Sequence, residues 1–136
     1  MTNRGFCYCD KTKEIDLGIM KVLIVDADET FRNHLAERLT RRGLTIQATG
    51  DADEGRAIAC QEKMNAILVG LSSPKQALLS FLREIRHDCP ENALILINHS
   101  GDVPLSIEAM KYGASDEVGA PVDLEELLRK IDAASS

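Results

Sequence analysis

The sequence predicts an α/β domain built on a parallel β-sheet. Short β-branched-rich runs recur along the chain, as expected of strands buried on both faces. Between them, apolar residues fall at the spacing of amphipathic helices, and the connections are short. Five such strands alternate with five such helices.

The first strand is Val22–Val25, followed by a helix in which Phe31, Leu35 and Leu39 recur every four residues until Gly43 terminates it. Thr45–Thr49 is the second strand. The turn Gly50-Asp51-Ala52-Asp53 supplies an N-cap for a helix carrying Ala57, Ile58 and Met64. Ala66–Val69 is the third strand, and Pro74 suits the first turn of a helix bearing Ala77, Leu78, Phe81, Leu82 and Ile85. Leu94–Ile97 is the fourth strand, with Ile107 to Tyr112 forming most of a helix stopped at Gly113. Glu117–Val118 is a short fifth strand. Asp123 caps a last helix with Leu124, Leu127, Leu128 and Ile131 on one face and Glu125 and Glu126 at its positive end. Residues 1–20 show no periodicity and are expected to form a flexible arm, either native or an over-extended start before Met20; residues 21–134 are the folded domain.

The 136 residues carry 16 Lys and Arg against 22 Asp and Glu, a net charge of -6, which argues against a nucleic-acid partner. The longest apolar runs, such as Ala93–Ile97, are far shorter than a membrane helix or a signal-peptide core. The cytoplasm is therefore the expected compartment, and the four cysteines are expected to be ordinary reduced thiols. Cys7-x-Cys9 has no second Cys/His pair at zinc-ligand spacing. His34 and His87 read as helix-surface residues, and Ser72 and Ser73 as turn and cap.

A parallel sheet places its ligand site outside the carboxyl ends of its strands. Here those ends are Asp26-Ala27-Asp28, Gly70-Leu71, Asn98-His99 and Gly119-Ala120-Pro121. At them the chain resembles the receiver domain of bacterial two-component response regulators. Val22-Leu23-Ile24-Val25-Asp26 looks like that family's first strand and leading acidic residue. The stretch from Ala109 to Asp116 is similar to its fourth-helix exit, and Pro121 to Leu128 to its entry into the fifth helix. The resemblance covers residues 21 to about 133 and implies a flavodoxin-like (βα)5 doubly wound sandwich, strand order 2-1-3-4-5.

Receivers in that family accept a phosphoryl group from a histidine kinase on an aspartate, beside bound magnesium. Position by position, the acceptor at the end of strand three matches Gly70, in the register set by Pro74. The second acidic residue after strand one matches Ala27, between Asp26 and Asp28; the hydroxyl ending strand four matches Asn98, with His99 next. The lysine before the strand-five proline matches Ala120, and the aromatic switch residue matches Glu117. These departures imply a degenerate pocket with weak or absent Mg2+ binding and no catalysis. Asp26, Asp28 and His99 are the only metal candidates there and do not make a closed ligand set.

The leading expectation is a non-enzymatic pseudo-receiver acting by protein–protein contact. Its partner would be a signalling protein, such as a histidine kinase or output protein, or a second copy. The resemblance places contacts on the face of the fourth helix, fifth strand and fifth helix, at Lys111, Tyr112, Asp116, Glu117, Arg129 and Lys130, with Glu117 expected to point outward. The alternatives are a working acceptor using Asp26 or Asp28, and a small-ligand, metal or flavin module. The acidic Asp26-Ala27-Asp28-Glu29 turn would repel a flavin phosphate. The chain suits either a stand-alone regulator or a piece of a larger sensor.

Overall fold

The computed structural model describes residues 20–71, 75–99, 101–119 and 121–135. They form β1 (Lys21–Val25), α1 (Glu29–Arg41), β2 (Thr45–Thr49), α2 (Ala52–Gln61), β3 (Ala66–Gly70), α3 (Lys75–Asp88), β4 (Leu94–Asn98), α4 (Val103–Lys111), β5 (Asp116–Gly119) and α5 (Leu124–Ser135). All neighbouring strands are parallel, in the order β2-β1-β3-β4-β5. The parallel α/β sheet is the one the alternating pattern predicts, and its strand order is that of the doubly wound, flavodoxin-like sandwich which the receiver resemblance implies. Among the described residues no helix is long and apolar enough to cross a membrane.

Alternation along the strands divides the core into two layers. Leu23, Val25, Ile67, Val69, Leu94 and Leu96 face α2, α3 and α4, where they meet Leu78, Phe81, Leu82 and Ile85. Val22, Ile24, Leu68, Ile95, Ile97 and Val118 face α1 and α5, against Leu35, Leu39, Leu127 and Ile131. The central strands β3 and β4 are buried at every position, which explains their unbroken apolar runs. Truncating one of these leucines to alanine costs about 2–5 kcal/mol.

Capping fixes the helix starts. Asp28, Asp51 and Asp102 each accept a backbone N–H of the helix they precede, from Phe31, Asp53 and Leu105 respectively. Asp123 accepts from the N–H groups of Glu125 and Glu126, as its position predicts. Gly43 and Gly113, at φ 99° and 108°, end α1 and α4 in the left-handed region. Gly113 is needed twice over, because a Cβ there would also press on the Arg86 side chain packed beside it.

Some boundaries differ from the sequence expectation. Met64 is buried but lies beyond α2, which stops at Gln61 when Glu62 turns extended. The fourth helix starts at Val103 rather than near Ile107, because Asp102 caps it and Pro104 fits its first turn. Strands β3 and β4 run one residue further, so Gly70 and Asn98 belong to the sheet. Pro74, Ser72, Ser73, Cys7, Cys9 and the arm up to residue 19 lie outside the described residues.

Candidate functional site

The carboxyl ends of β1, β3 and β4 bring Asp26, Gly70, Asn98 and His99 to one edge of the sheet. Asp26 leaves β1 and is 1% exposed. Its Oδ1 accepts the Asp28 N–H at 2.9 Å, and its Oδ2 lies 3.0 Å from His99 Nε2, which donates to a carboxylate in this arrangement. Phe31, on the first turn of α1, stacks on the His99 ring with centroids 4.0 Å apart and planes 15° from parallel. Arg32 Nη1, one residue on, donates to the Asp26 carbonyl at 2.9 Å.

Gly70 faces this cluster from β3. A Cβ built on Gly70 would fall on the Asp26 carboxylate, closer than real Cβ atoms ever approach another heavy atom. The carboxylate thus occupies the volume in which a side chain at 70 would start. Ala27 and Asp28 turn outward and are exposed. Asp28 Oδ1 accepts the Phe31 N–H at the start of α1. Among the described residues no three His, Cys, Asp or Glu side chains are arranged to hold a metal ion. Ala120 lies outside the described residues.

Asn98, buried at the end of β4, ties the loop into α4. Its Oδ1 accepts the N–H groups of Gly101 and Asp102 at 3.0 and 3.1 Å. Its Nδ2 donates to the Asp102 carbonyl at 3.3 Å and to Glu117 Oε2 at 3.0 Å. Glu117 is therefore turned inward along the sheet edge, not outward as the sequence suggests. The reason is register: Glu117 pairs with Leu96 on the α4 side of the sheet, one pleat from Asn98, whose amide supplies the partner.

The expected contact face is split. Lys111 and Arg129 are exposed. Lys130 bridges β5 and α5, with its Nζ 3.0 Å from Asp116 Oδ1, 2.8 Å from the Glu117 carbonyl and 3.5 Å from Glu126 Oε2. Burial pushes the Asp116 carboxyl up, but the Glu117 N–H and the Lys130 ammonium outweigh it and hold it below its ordinary value. The hydrogen bond to Asp116 raises Lys130 in turn. Tyr112 does not belong to this face: it packs toward α3, with Arg83 over its ring at 5.5 Å.

Sequence reasoning missed the exposed apolar row on α4, made by Val103, Ile107 and Met110 at 60%, 55% and 40% exposure. These residues are spaced i, i+4, i+7, so they form one stripe. The available signal was surplus: α4 already buries Leu105 and Ala109, and one core-facing stripe does not need three further large apolar residues.

Residues 22–132 match the response regulator receiver domain family. The chain belongs to that family. Among receiver-containing relatives it is 31% identical over 114 residues to the transcriptional regulatory protein FixJ of Rhizobium meliloti, covering 84% of this chain and 56% of FixJ. It is 27% identical over 114 residues to the two-component response regulator PhoP of Pseudomonas aeruginosa, covering 84% of this chain and 51% of PhoP. The chain spans about half the length of most of the curated relatives it matches. The receiver fold superposes on that of a response regulator receiver domain protein from Clostridium thermocellum with a TM-score of 0.77, at 26% identity over 86% of this chain and 94% of that one. FixJ-N gives the same TM-score, 0.77, at 30% identity over 85% and 93% of the two chains.

Proposed function

We propose that this receiver domain is a pseudo-receiver: a non-enzymatic module of two-component or phosphorelay-type signalling that works by protein–protein contact without aspartyl phosphorylation. The observation that carries this reading is the Asp26 carboxylate seated in the volume next to Gly70. Phosphoryl transfer to a carboxylate needs a reachable attacking oxygen, a divalent ion and donors for the transferred oxygens. Gly70 has no side-chain oxygen, and Asp26 is a poor substitute because it is buried and both of its oxygens are engaged. Asn98 stands where the family's hydroxyl is expected and is committed to its own loop.

Contact with a partner is then the remaining route of signalling. The α4 row Val103, Ile107 and Met110, with Lys111 beside it, supplies an apolar centre with a charged rim. The partner we favour is a cytoplasmic signalling protein, a histidine kinase or an output protein, presenting an apolar segment. Self-association is the competing result of the same assay.

Intact-mass spectrometry after incubation with acetyl phosphate and Mg2+ tests the reading. The expected result is an unchanged mass, and no change in fluorescence or mobility with beryllofluoride. Stoichiometric gain of one phosphoryl group would overturn it.

A further inference from the structure

The seam between α2 and α3 is built in successive layers. Gly55 lets α2 approach closely, since a Cβ there would press on Val25 and touch Phe81 of α3. One residue on, Arg56 lies 3.3 Å from Glu84 and 3.3 Å from Asp88. One turn further, Cys60 near the end of α2 meets Cys89, just beyond α3, with Sγ atoms 2.7 Å apart. Cys60 is exposed and Cys89 is 5% exposed. The two thiols lie 29 residues apart in sequence. Helix packing and the Arg56 ion pairs hold them together, at an end of the helices remote from Asp26 and Gly70.

We propose that Cys60 and Cys89 are a reversible thiol–disulfide pair, oxidised by a hydroperoxide or by a small-molecule disulfide, which staples α2 to the exit of α3. The exposed Cys60 is the attacking sulfur. As a thiolate it takes one oxygen from the hydroperoxide, releasing an alcohol or water and becoming a sulfenic acid. The Cys89 sulfur then attacks the Cys60 sulfur and expels the hydroxyl as water. In sum, two thiols and one hydroperoxide give a disulfide, one alcohol (or water) and one water. With a disulfide oxidant, Cys60 forms the mixed disulfide and Cys89 displaces the second thiol.

The environments of the two sulfurs divide these roles. Burial, with the Cys60 contact adding to it, pushes the Cys89 thiol up to about 12. Cys89 thus stays protonated and shielded until Cys60 has reacted beside it. Reaching disulfide bond length requires the sulfurs to close by about 0.7 Å, a distance that side-chain torsions supply. A reducing cytoplasm removes structural disulfides but leaves room for transient, redox-sensing ones. The pair would add an oxidation input to the domain whether or not the strand-end pocket takes phosphate.

The test treats the full chain with hydrogen peroxide and, separately, with oxidised glutathione, then alkylates and maps it. The expected product lacks two hydrogens and links the tryptic peptides 57–63 and 87–111. It returns to the starting mass with dithiothreitol, and the Cys7→Ser/Cys9→Ser variant behaves identically. The linked chain is expected to melt about 10 °C higher than the reduced one, by the loop-entropy effect on its unfolded state. Cys60→Ser removes both the link and the shift. Recovery of Cys60 and Cys89 as separately alkylated thiols would overturn the proposal. So would accumulation of Cys60 alone as a sulfinic acid or glutathione adduct while Cys89 remains free.

Discussion

The Asp26 carboxylate fills the space that a Cβ on Gly70 would enter at the carboxyl edge of the sheet, so a side chain at 70 and the present seat of Asp26 exclude each other. The Asp28 N–H, His99 just after β4, and Phe31 of α1 stacked over His99 hold that seat.

Gly70→Ala is expected to lose about 1–3 kcal/mol of stability, the cost of forcing atoms into a filled region. In an Asp26→Ala background the same substitution is expected to cost at least about 1 kcal/mol less, because the conflicting group is gone. Urea denaturation of the four proteins closes the cycle. Additivity within about 0.5 kcal/mol would place the carboxylate elsewhere.

Gly70→Asp alone is expected to be destabilised and to remain unphosphorylated by acetyl phosphate. It supplies an attacking oxygen without the second metal carboxylate at Ala27 or the lysine at Ala120. Only a combination with Ala27→Asp and Ala120→Lys is expected to gain any phosphoryl group, as read by intact mass. Phosphorylation of the single variant at the rate of an ordinary receiver contradicts this account.

The Asp116–Lys130 pair gives an acid-side dependence of defined sign. Asp116 is depressed in the folded domain, so below its unfolded value, about 3.9, the unfolded chain binds more protons. The pair's contribution is therefore fully present above about pH 4 and is lost as pH falls through the folded pKa. Asp116 is 47% exposed, which screens the effect to under about 1 kcal/mol. Asp116→Asn should flatten the stability profile of thermal melts between pH 4 and 2, and an unchanged slope would remove the pair as its cause.

Ile107→Lys with Met110→Lys is expected to abolish partner capture or self-association while shifting stability by no more than about 0.5 kcal/mol, since both side chains are exposed. Sedimentation velocity and capture from lysate report on the two kinds of association. Unchanged behaviour in both would move the contact surface away from α4.

The strands and most helix starts were legible because each depends on neighbours in sequence: Val22–Val25 and Leu94–Ile97 are apolar whatever lies beside them, and Asp123 caps its own helix. Met64 deceived because its apolar spacing fits a helix, while the extended backbone at Glu62 that ends α2 leaves no mark in that pattern. At the candidate site the residues that gather were readable from strand ends, but their orientations were not. Whether Glu117 points out or in depends on an amide from a different strand, at Asn98. Tyr112 likewise turned on where Arg83 of α3 would lie, and the Cys60–Cys89 meeting on how two helices pack.

Asn98 sets a toll on anything that would bind at this end of the sheet. Both of its amide hydrogens and its oxygen are already spent, on Asp102, Glu117 and the N–H of Gly101. An incoming ligand finds no spare donor there and must first win a state in which the loop has let go. If that state is populated about one time in a hundred, the measured affinity falls about a hundredfold below the intrinsic one. A weak ligand would leave this edge as it is, whereas a ligand strong enough to bind would report itself by releasing the Gly101 and Asp102 amides to solvent.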